Sequence, residues 1–395
     1  MDRGVSISRA SAEKSRSGRI LIVAGEASAD IHGANLVRAV HRLDPEVAFQ
    51  GIGGPRMAGA GAQILIPSSE MAVVGLTEVI PRLAGIRSAA RRIKRILQSS
   101  PPDLLILLDY PEFNLHLAGI AKRCGVPVLY YISPQIWAWR RGRIRKIARR
   151  VDRMAVILPF EESVYRRTGV PVTYVGHPLL DAVPDGTGGE EARRRLGVGP
   201  DVPLLGILPG SRDDEVDNLL PGMLRAAEIL HGVWPGLRCV LPVASTVSHG
   251  RIEDRVRDSS VQVNLWRDDM HMVLPGCDAA LVASGTATLE TAIHYVPMVI
   301  AYRVSPLSYR IAKAVVRVPF IGLVNLVAGR EVVPELVQDK VTPAGLAREA
   351  ARFLAVGPYR ENVIKELKRV QDLLGGGGAS ERTAEVALRM MGRMG

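Results

Sequence analysis

The chain has 395 residues, more than one hydrophobic core usually serves, and its 47% hydrophobic and 23% charged residues exclude disordered and fibrous classes. A net charge of +11 points to an anionic partner, but aromatics are only 5% and do not interleave with the basic runs, which argues against a base-stacking nucleic-acid surface. Cys124, Cys239 and Cys277 are too scattered for a disulfide framework or a thiolate metal site, and no apolar run approaches the roughly 18 residues of a spanning helix.

Residues 1–18 read as a basic, serine-rich lead-in without the apolar core of a secretory signal. "RILIVAG" then predicts a buried strand, and "EASADIHGANLVRAVHRL" has helical spacing. Gly25, Glu26, Ser28 and Asp30 lie at their junction. The basic run Arg87–Arg95 suits a solvated helix face or a phosphate- or membrane-facing one. "PDLLILLDY" leaves Asp109 at the mouth of a strand, where Pro111 turns the chain out. A rim carboxylate can be a general base, a helix cap or the partner of an arginine.

"VPVLYYIS" leads into "PQIWAWRRGRIRKI", which sets Gln135, Trp137 and Trp139 beside a basic run. One of the two tryptophans is expected to pack in the core. "MAVILPF" precedes the helical "EESVYRRTG", and "YVGHPLLD" puts His177 before a proline, as a hydrogen-bonded structural residue or a catalyst. Glycine, proline and charge then dominate, as in a linker. Short apolar runs alternating with helices imply parallel sheets wrapped on both faces. The predicted units are a first domain over 19–181, a linker over 182–200, a second domain over 201–372, and a Gly-rich break with a terminal helix over 373–395.

The second half restarts with "PLLGILPG", "RCVLPVAS", "VQVNLW", "AALVASG" and "PMVIAYRV". Its first strand-to-helix junction reads Pro209-Gly210-Ser211-Arg212. Gly210 permits close backbone approach, Ser211 can cap the helix or donate a bond, and Arg212 can clamp a phosphate or pair with Glu215. A second junction carries Ser284, Gly285, Thr286 and Thr288, with Glu290 a turn into the helix, in reach of a ribose hydroxyl pair. Two cradles of N–H and O–H groups suit a nucleoside diphosphate. No Gly-x-Gly-x-x-Gly follows the first strand of either half, which disfavours a dinucleotide oxidoreductase; "GIGG" at Gly51 begins too late.

In order, "GEASADIHGA", "LLDYPEFN", "SPQIWAWR", "YVGHPLLD", "LPGSRDDEV", "ASGTATLE" and "NLVAGREVVPEL" resemble the lipid-A-disaccharide synthase family, from about Ile20 to Leu336. The resemblance implies two Rossmann-like, doubly wound α/β domains facing across a cleft, the B-type glycosyltransferase fold. It implies inverting transfer of 2,3-diacylglucosamine from UDP to the 6-hydroxyl of 2,3-diacylglucosamine 1-phosphate, giving the β(1→6) disaccharide phosphate. The family's proposed base falls on Asp109, its donor-site arginine on Arg212, its acidic residue on Glu290 and its loop asparagine on Asn325. Gly210, Ser211, Ser284, Gly285, Thr286 and Thr288 are expected to complete the UDP side. Gly25, Glu26, Ser28, Gln135 and Trp137 are expected on the acceptor side.

No cofactor and no metal are expected, since no Asp-x-Asp pair occurs in the chain. The other expectations are an anionic inner-membrane surface as partner, a peripheral cytoplasmic location, a homodimer and no nucleic acid. Ala29 and Val324 depart from the family pattern, which has glycine and proline there. A related UDP-sugar 2-epimerase, the cell-wall N-acetylglucosamine transferase and a non-catalytic nucleotide-sugar binder are the rival readings; "SPQIWAWR" counts against the first two, and Asp109, Arg212 and Glu290 against the third.

Overall fold

Apolar runs alternating with helices build two parallel sheets. A computed structural model describes residues 17–71, 79–135, 137, 143–184, 188–244, 246–316 and 318–394. The first sheet holds β1 (Arg19–Ala24), β2 (Ala48–Gly53), β3 (Gln63–Pro67), β4 (Leu104–Leu108), β5 (Val128–Tyr131), β6 (Arg153–Val156) and β7 (Val172–Tyr174), in the order β3-β2-β1-β4-β5-β6-β7. The second holds β8 (Leu204–Leu208), β9 (Arg238–Pro242), β10 (Val263–Trp266), β11 (Ala279–Ala283), β12 (Met298–Tyr302) and β13 (Glu335–Val337), in the order β10-β9-β8-β11-β12-β13. Strands β4, β8 and β11 are buried at every position because helices cover both faces of each sheet.

Both strand orders reverse once, between β1 and β4 in the first sheet and between β8 and β11 in the second. In open α/β sheets the crevice beyond the carboxyl ends at such a switch point is where ligands bind. Ala24 pairs in register with Leu108, and Val282 with Leu208, so the junctions singled out in the sequence leave neighbouring strands at these two points.

Strands β2, β3, β7 and β13 are not among those the sequence predicts; they are short or lack an unbroken apolar run. The "GIGG" stretch is explained by β2. Gly51, at φ +155, lies so close to β1 that a Cβ there would come within 1.8 Å of the Ile22 carbonyl oxygen. Its glycine serves strand packing rather than a phosphate.

By contact the chain divides into two units. One comprises Met1–Pro134, Arg149–Ala155 and Ser380–Gly395; the other comprises Gln135–Ala148 and Val156–Ala379. Within the first, the C-terminal segment is tied down by Arg393 Nε to Asp44 at 2.6 Å and by the Arg42–Glu381 pair. The Arg393 guanidinium holds the Asp44 carboxyl below the usual range.

Asp30 proves structural. It is buried in the helix Ala27–Leu43, and its carboxylate accepts the Gly54, Arg56 and Met57 N–H groups at 2.6, 3.0 and 3.2 Å, capping the short helix Pro55–Gly59. Asp30→Ala strands those donors away from water and should cost about 2–4 kcal/mol. A lower denaturant midpoint with unchanged UDP affinity is the expected result; an unchanged midpoint would remove the capping role.

Candidate functional site

In the first unit, Asp109 and Tyr110 follow β4 with φ of 44° and 42°, two successive non-glycine residues in the left-handed region. They reverse the chain before Pro111 opens the helix Pro111–Arg123. The Tyr110 ring lies against Gly25, where a Cβ would come within 3.2 Å of its Cγ, so glycine is what permits this approach. Tyr110 also donates its hydroxyl to the Met71 carbonyl at 3.2 Å.

Burial raises the Asp109 carboxyl from 3.8 to about 6. The negative charge of Glu26 adds to the rise, and the Tyr110 backbone N–H opposes it. Glu26 is exposed at the N-cap of the helix Ala27–Leu43 and makes no side-chain cap bond; Ser28 is exposed in its first turn. Ala29 lies buried within that helix, in ordinary helical backbone, so the departure from glycine carries no strain.

Gln135 and Trp137 belong to the second unit and not with Asp109. Gln135 is exposed. Trp137 is buried edge-on against Phe160 and donates its indole N–H to Glu161 at 3.0 Å, so it takes the core role expected of one tryptophan. Trp139 lies outside the described residues. His177 is buried, and its Nδ1 accepts the Leu179 N–H at 3.2 Å, at the start of the helix Leu179–Ala182.

In the second unit, the turn after β8 converges on one anion position. Glu215 fills it: one carboxylate oxygen accepts the Ser211 N–H at 3.0 Å and the other accepts from Arg212 at 2.9 Å. Gly210, at φ +118, is required, because a Cβ there would lie 2.4 Å from that carboxylate. The cap of the 21-residue helix Asp213–Val233 is Arg212 rather than Ser211. Both alternatives for Arg212 therefore bear on the structure. It pairs with Glu215 as it stands, yet its side chain is 77% exposed, so the pair contributes only about 0–1 kcal/mol and a stronger anion can displace it.

The turn after β11 is more committed. Ser284 donates to the Ile321 carbonyl at 3.0 Å, and buried Thr288 to the Gly285 carbonyl at 2.8 Å. Thr286 is exposed, and Gly285, at φ +156, has open space where a Cβ would stand. The helix that follows, Ala287–Ile293, has seven residues, so its end is a weaker anion site than that of Asp213–Val233. Burial, and then the charge of Asp269, raise Glu290 to about 7.

Asn325 is fully buried in the helix Leu323–Ala328. It donates to the Val333 carbonyl at 2.8 Å and to Glu335 at 2.9 Å, and accepts the Val332 and Val333 N–H groups at 2.8 and 3.1 Å. All its polar capacity shapes the loop before β13. Val324 precedes it in the same helix and is buried, so packing stiffens the position where the family pattern has proline.

Sequence reasoning missed the group around Glu290. His271 Nδ1 and His294 Nε2 are 2.8 Å apart, and Asp269 accepts the His271 N–H at 2.9 Å. Burial, and then His271, lower His294 to about 4, so this pair is neutral near pH 7 and one ring donates to the other. The signal was present: "RDDMHM" follows β10, on the edge of the sheet that carries the cradles.

Comparison with known proteins bears on the family and the fold. A family model described as lipid-A-disaccharide synthetase matches residues 20–387. A lipid-A-disaccharide synthase from Geobacter metallireducens is 49% identical over 375 residues, 95% of this chain and 98% of the relative. Among solved structures, the calicheamicin glycosyltransferase CalG4 superposes with a TM-score of 0.62 at 17% identity, covering 96% of this chain and 99% of that one. A UDP-GlcNAc 2-epimerase from Neisseria meningitidis bound to UDP-GlcNAc gives 0.64 at 11%, covering 94% and 100%. At those identities the two structures show the fold alone, two parallel-sheet α/β domains as in B-type glycosyltransferases.

Proposed function

This chain belongs to the lipid-A-disaccharide synthetase family, and from that premise we propose the substrates and residue roles of its glycosyl transfer. It is a glycosyltransferase of lipid A disaccharide synthesis. The donor is UDP-2,3-diacylglucosamine and the acceptor 2,3-diacylglucosamine 1-phosphate, with inversion at C1 and release of UDP. The observation that carries the reading is the pair of switch-point junctions, one with a buried rim carboxylate and one with an anion cradle already holding a carboxylate.

Inversion takes one displacement. Asp109 accepts the proton of the acceptor's 6-hydroxyl as that oxygen attacks C1; a carboxyl near 6 is ionised at neutral pH yet more basic than a free aspartate. UDP leaves with growing charge on its β-phosphate. Arg212, the Ser211 N–H and the helix end behind them stabilise that charge, Glu215 being displaced. Gly210 and Gly285 let backbone approach the phosphates, with Ser284, Thr286 and Thr288 around the second turn, and Glu290 accepts from the ribose. Asn325 acts through the loop it braces. Glu26 and Ser28, exposed in the first unit, and Gln135, exposed in the second, serve the acceptor in this reading. No metal takes part.

Ribose hydroxyls favour the ionised form of Glu290, so UDP binding near pH 7 should release part of one proton. Calorimetry in buffers of different ionisation enthalpy measures this, and Glu290→Gln should abolish the release. Equal release from both proteins would separate Glu290 from the ribose.

The acylated acceptor is met at an anionic membrane surface. No helix among the described residues is long and apolar enough to cross a membrane. The helix Val79–Ser99 instead exposes Arg87, Arg91, Arg92, Lys94 and Arg95 while burying Ala89, Ile93 and Leu97. A homodimer exchanging C-terminal segments is the accompanying expectation. Gly375 and Gly378, at φ +82 and +90, provide the bend before that segment; sedimentation tests it.

A transfer assay with the purified protein, both acylated substrates and mass spectrometry tests the whole reading, with UDP-N-acetylglucosamine and chelator arms. Disaccharide phosphate from the acylated donor alone, undiminished by chelator, is the expected result. UDP binding without transfer would overturn the assigned acceptor.

A further inference from the structure

The strained turn at Asp109 is held from beneath by two buried side chains whose roles lie outside the chemistry above. Asn114, fully buried in the first turn of the helix Pro111–Arg123, reaches back to β4. Its amide nitrogen donates to the carbonyls of Leu108 and Asp109 at 2.9 and 2.7 Å. From β5, the Tyr130 hydroxyl donates to the same Asp109 carbonyl at 2.5 Å. The Asp109 carbonyl thus takes two side-chain donors, and the next residue, Tyr110, is itself in left-handed backbone.

Such backbone is unfavourable for two adjacent side-chain-bearing residues and persists only where its surroundings over-determine it. Asn114 also carries a cost of its own, because its buried Oδ1 finds no hydrogen-bond partner among the described residues. An apolar side chain would fill the space without that orphan. What only the asparagine supplies is a pair of N–H donors aimed at the two carbonyls that flank the turn.

We infer that Asn114, assisted by Tyr130, is a positioning residue that clamps the Asp109–Tyr110 turn and so fixes where the Asp109 carboxylate points. The inference rests on reading Asp109 as the base. Direction matters because the carboxylate's setting, half-buried and facing Glu26 and the Tyr110 N–H, depends on the turn. Glu26 and the Tyr110 N–H are the groups that, beside burial, shift its titration. With the clamp gone, the carboxylate swings toward water and titrates closer to an ordinary aspartate.

The test is steady-state transfer by Asn114→Leu and Tyr130→Phe across pH, beside Asp109→Asn and the Asn114→Leu/Asp109→Asn double variant. Asn114→Leu should lower kcat about 10–100-fold, Tyr130→Phe about 3–10-fold, with KM for the UDP-sugar within about twofold. In both, the acidic limb of kcat should move to lower pH, which loss of packing alone would not produce. The double variant should be no slower than Asp109→Asn, since a clamp has nothing left to position. Should Asn114→Leu fail to fold, judged by circular dichroism and UDP binding, Tyr130→Phe alone decides. Folded variants with wild-type kcat, or with reduced kcat and an unmoved limb, overturn the clamp. Asp109→Asn at wild-type rate overturns the base instead, so the two failures are distinct.

Discussion

Asp109→Asn is expected to reduce turnover about 10²–10⁴-fold while leaving UDP affinity within about twofold. Asparagine keeps the size of the side chain and removes the basic oxygen, so the acceptor hydroxyl must lose its proton to water. UDP affinity is spared because the groups proposed to hold the nucleotide lie in the second unit. The pH profile gives an independent reading. With Asp109 as the proposed base, activity needs the ionised carboxylate, so kcat/KM in the wild type should fall as pH drops through about 6. The same shift makes ionisation a cost to folding: the native chain holds this proton more tightly than the unfolded chain, whose aspartate titrates near 3.8. This contribution to stability is therefore present below about 4 and lost as pH rises toward 6, where activity appears. A profile flat down to pH 5, or near-normal turnover by Asp109→Asn, would retire the residue as base.

Arg212→Ala is expected to weaken UDP binding about 10–100-fold and to lower kcat as well, because the guanidinium meets the β-phosphate both before and during departure. Fold stability should barely move, since the lost Arg212–Glu215 pair is exposed. Glu215 would then keep the Ser211 N–H and face an incoming phosphate with no cation between them. That repulsion places the expected effect toward the upper end of the range. Titration calorimetry with UDP and steady-state rates check the two parts separately. Unchanged UDP affinity would remove the phosphate clamp, whatever happens to kcat.

Much of the fold was legible because a parallel sheet covered on both faces demands unbroken apolar runs, and "RILIVA", "LLILL", "LLGIL" and "AALVA" have little other use. The strands that escaped, β2, β3, β7 and β13, are short or interrupted by glycine and polar residues. Gly51 in β2 is set by its approach to Ile22, a contact between residues 29 positions apart that no local pattern records.

The candidate groups stood out for a related reason: Asp109 and Arg212 follow apolar strands closely, and Glu290 lies in the short helix after a third. What the sequence could not distinguish was which polar residues are free to meet a ligand and which hold the chain. Asp30, Trp137 and Asn325 resemble site residues in a string of letters, yet each spends its polar atoms on the protein. Glu215, Asn114 and the His271–His294 pair show the converse. Their importance comes from partners brought near by folding: a carboxylate curling back into the cradle, an amide under a strained turn, and two rings separated by 23 positions. By itself, then, the sequence determined the strand-and-helix alternation, the two junction chemistries and the family, because periodicity and short motifs are local. Tertiary structure alone decided the switch-point neighbours, the raised carboxyls of Asp109 and Glu290, and the clamp beneath Asp109. The first two depend on burial and on distances between residues far apart in the chain, and the clamp on a left-handed turn that brings Asn114 and the distant Tyr130 to one carbonyl.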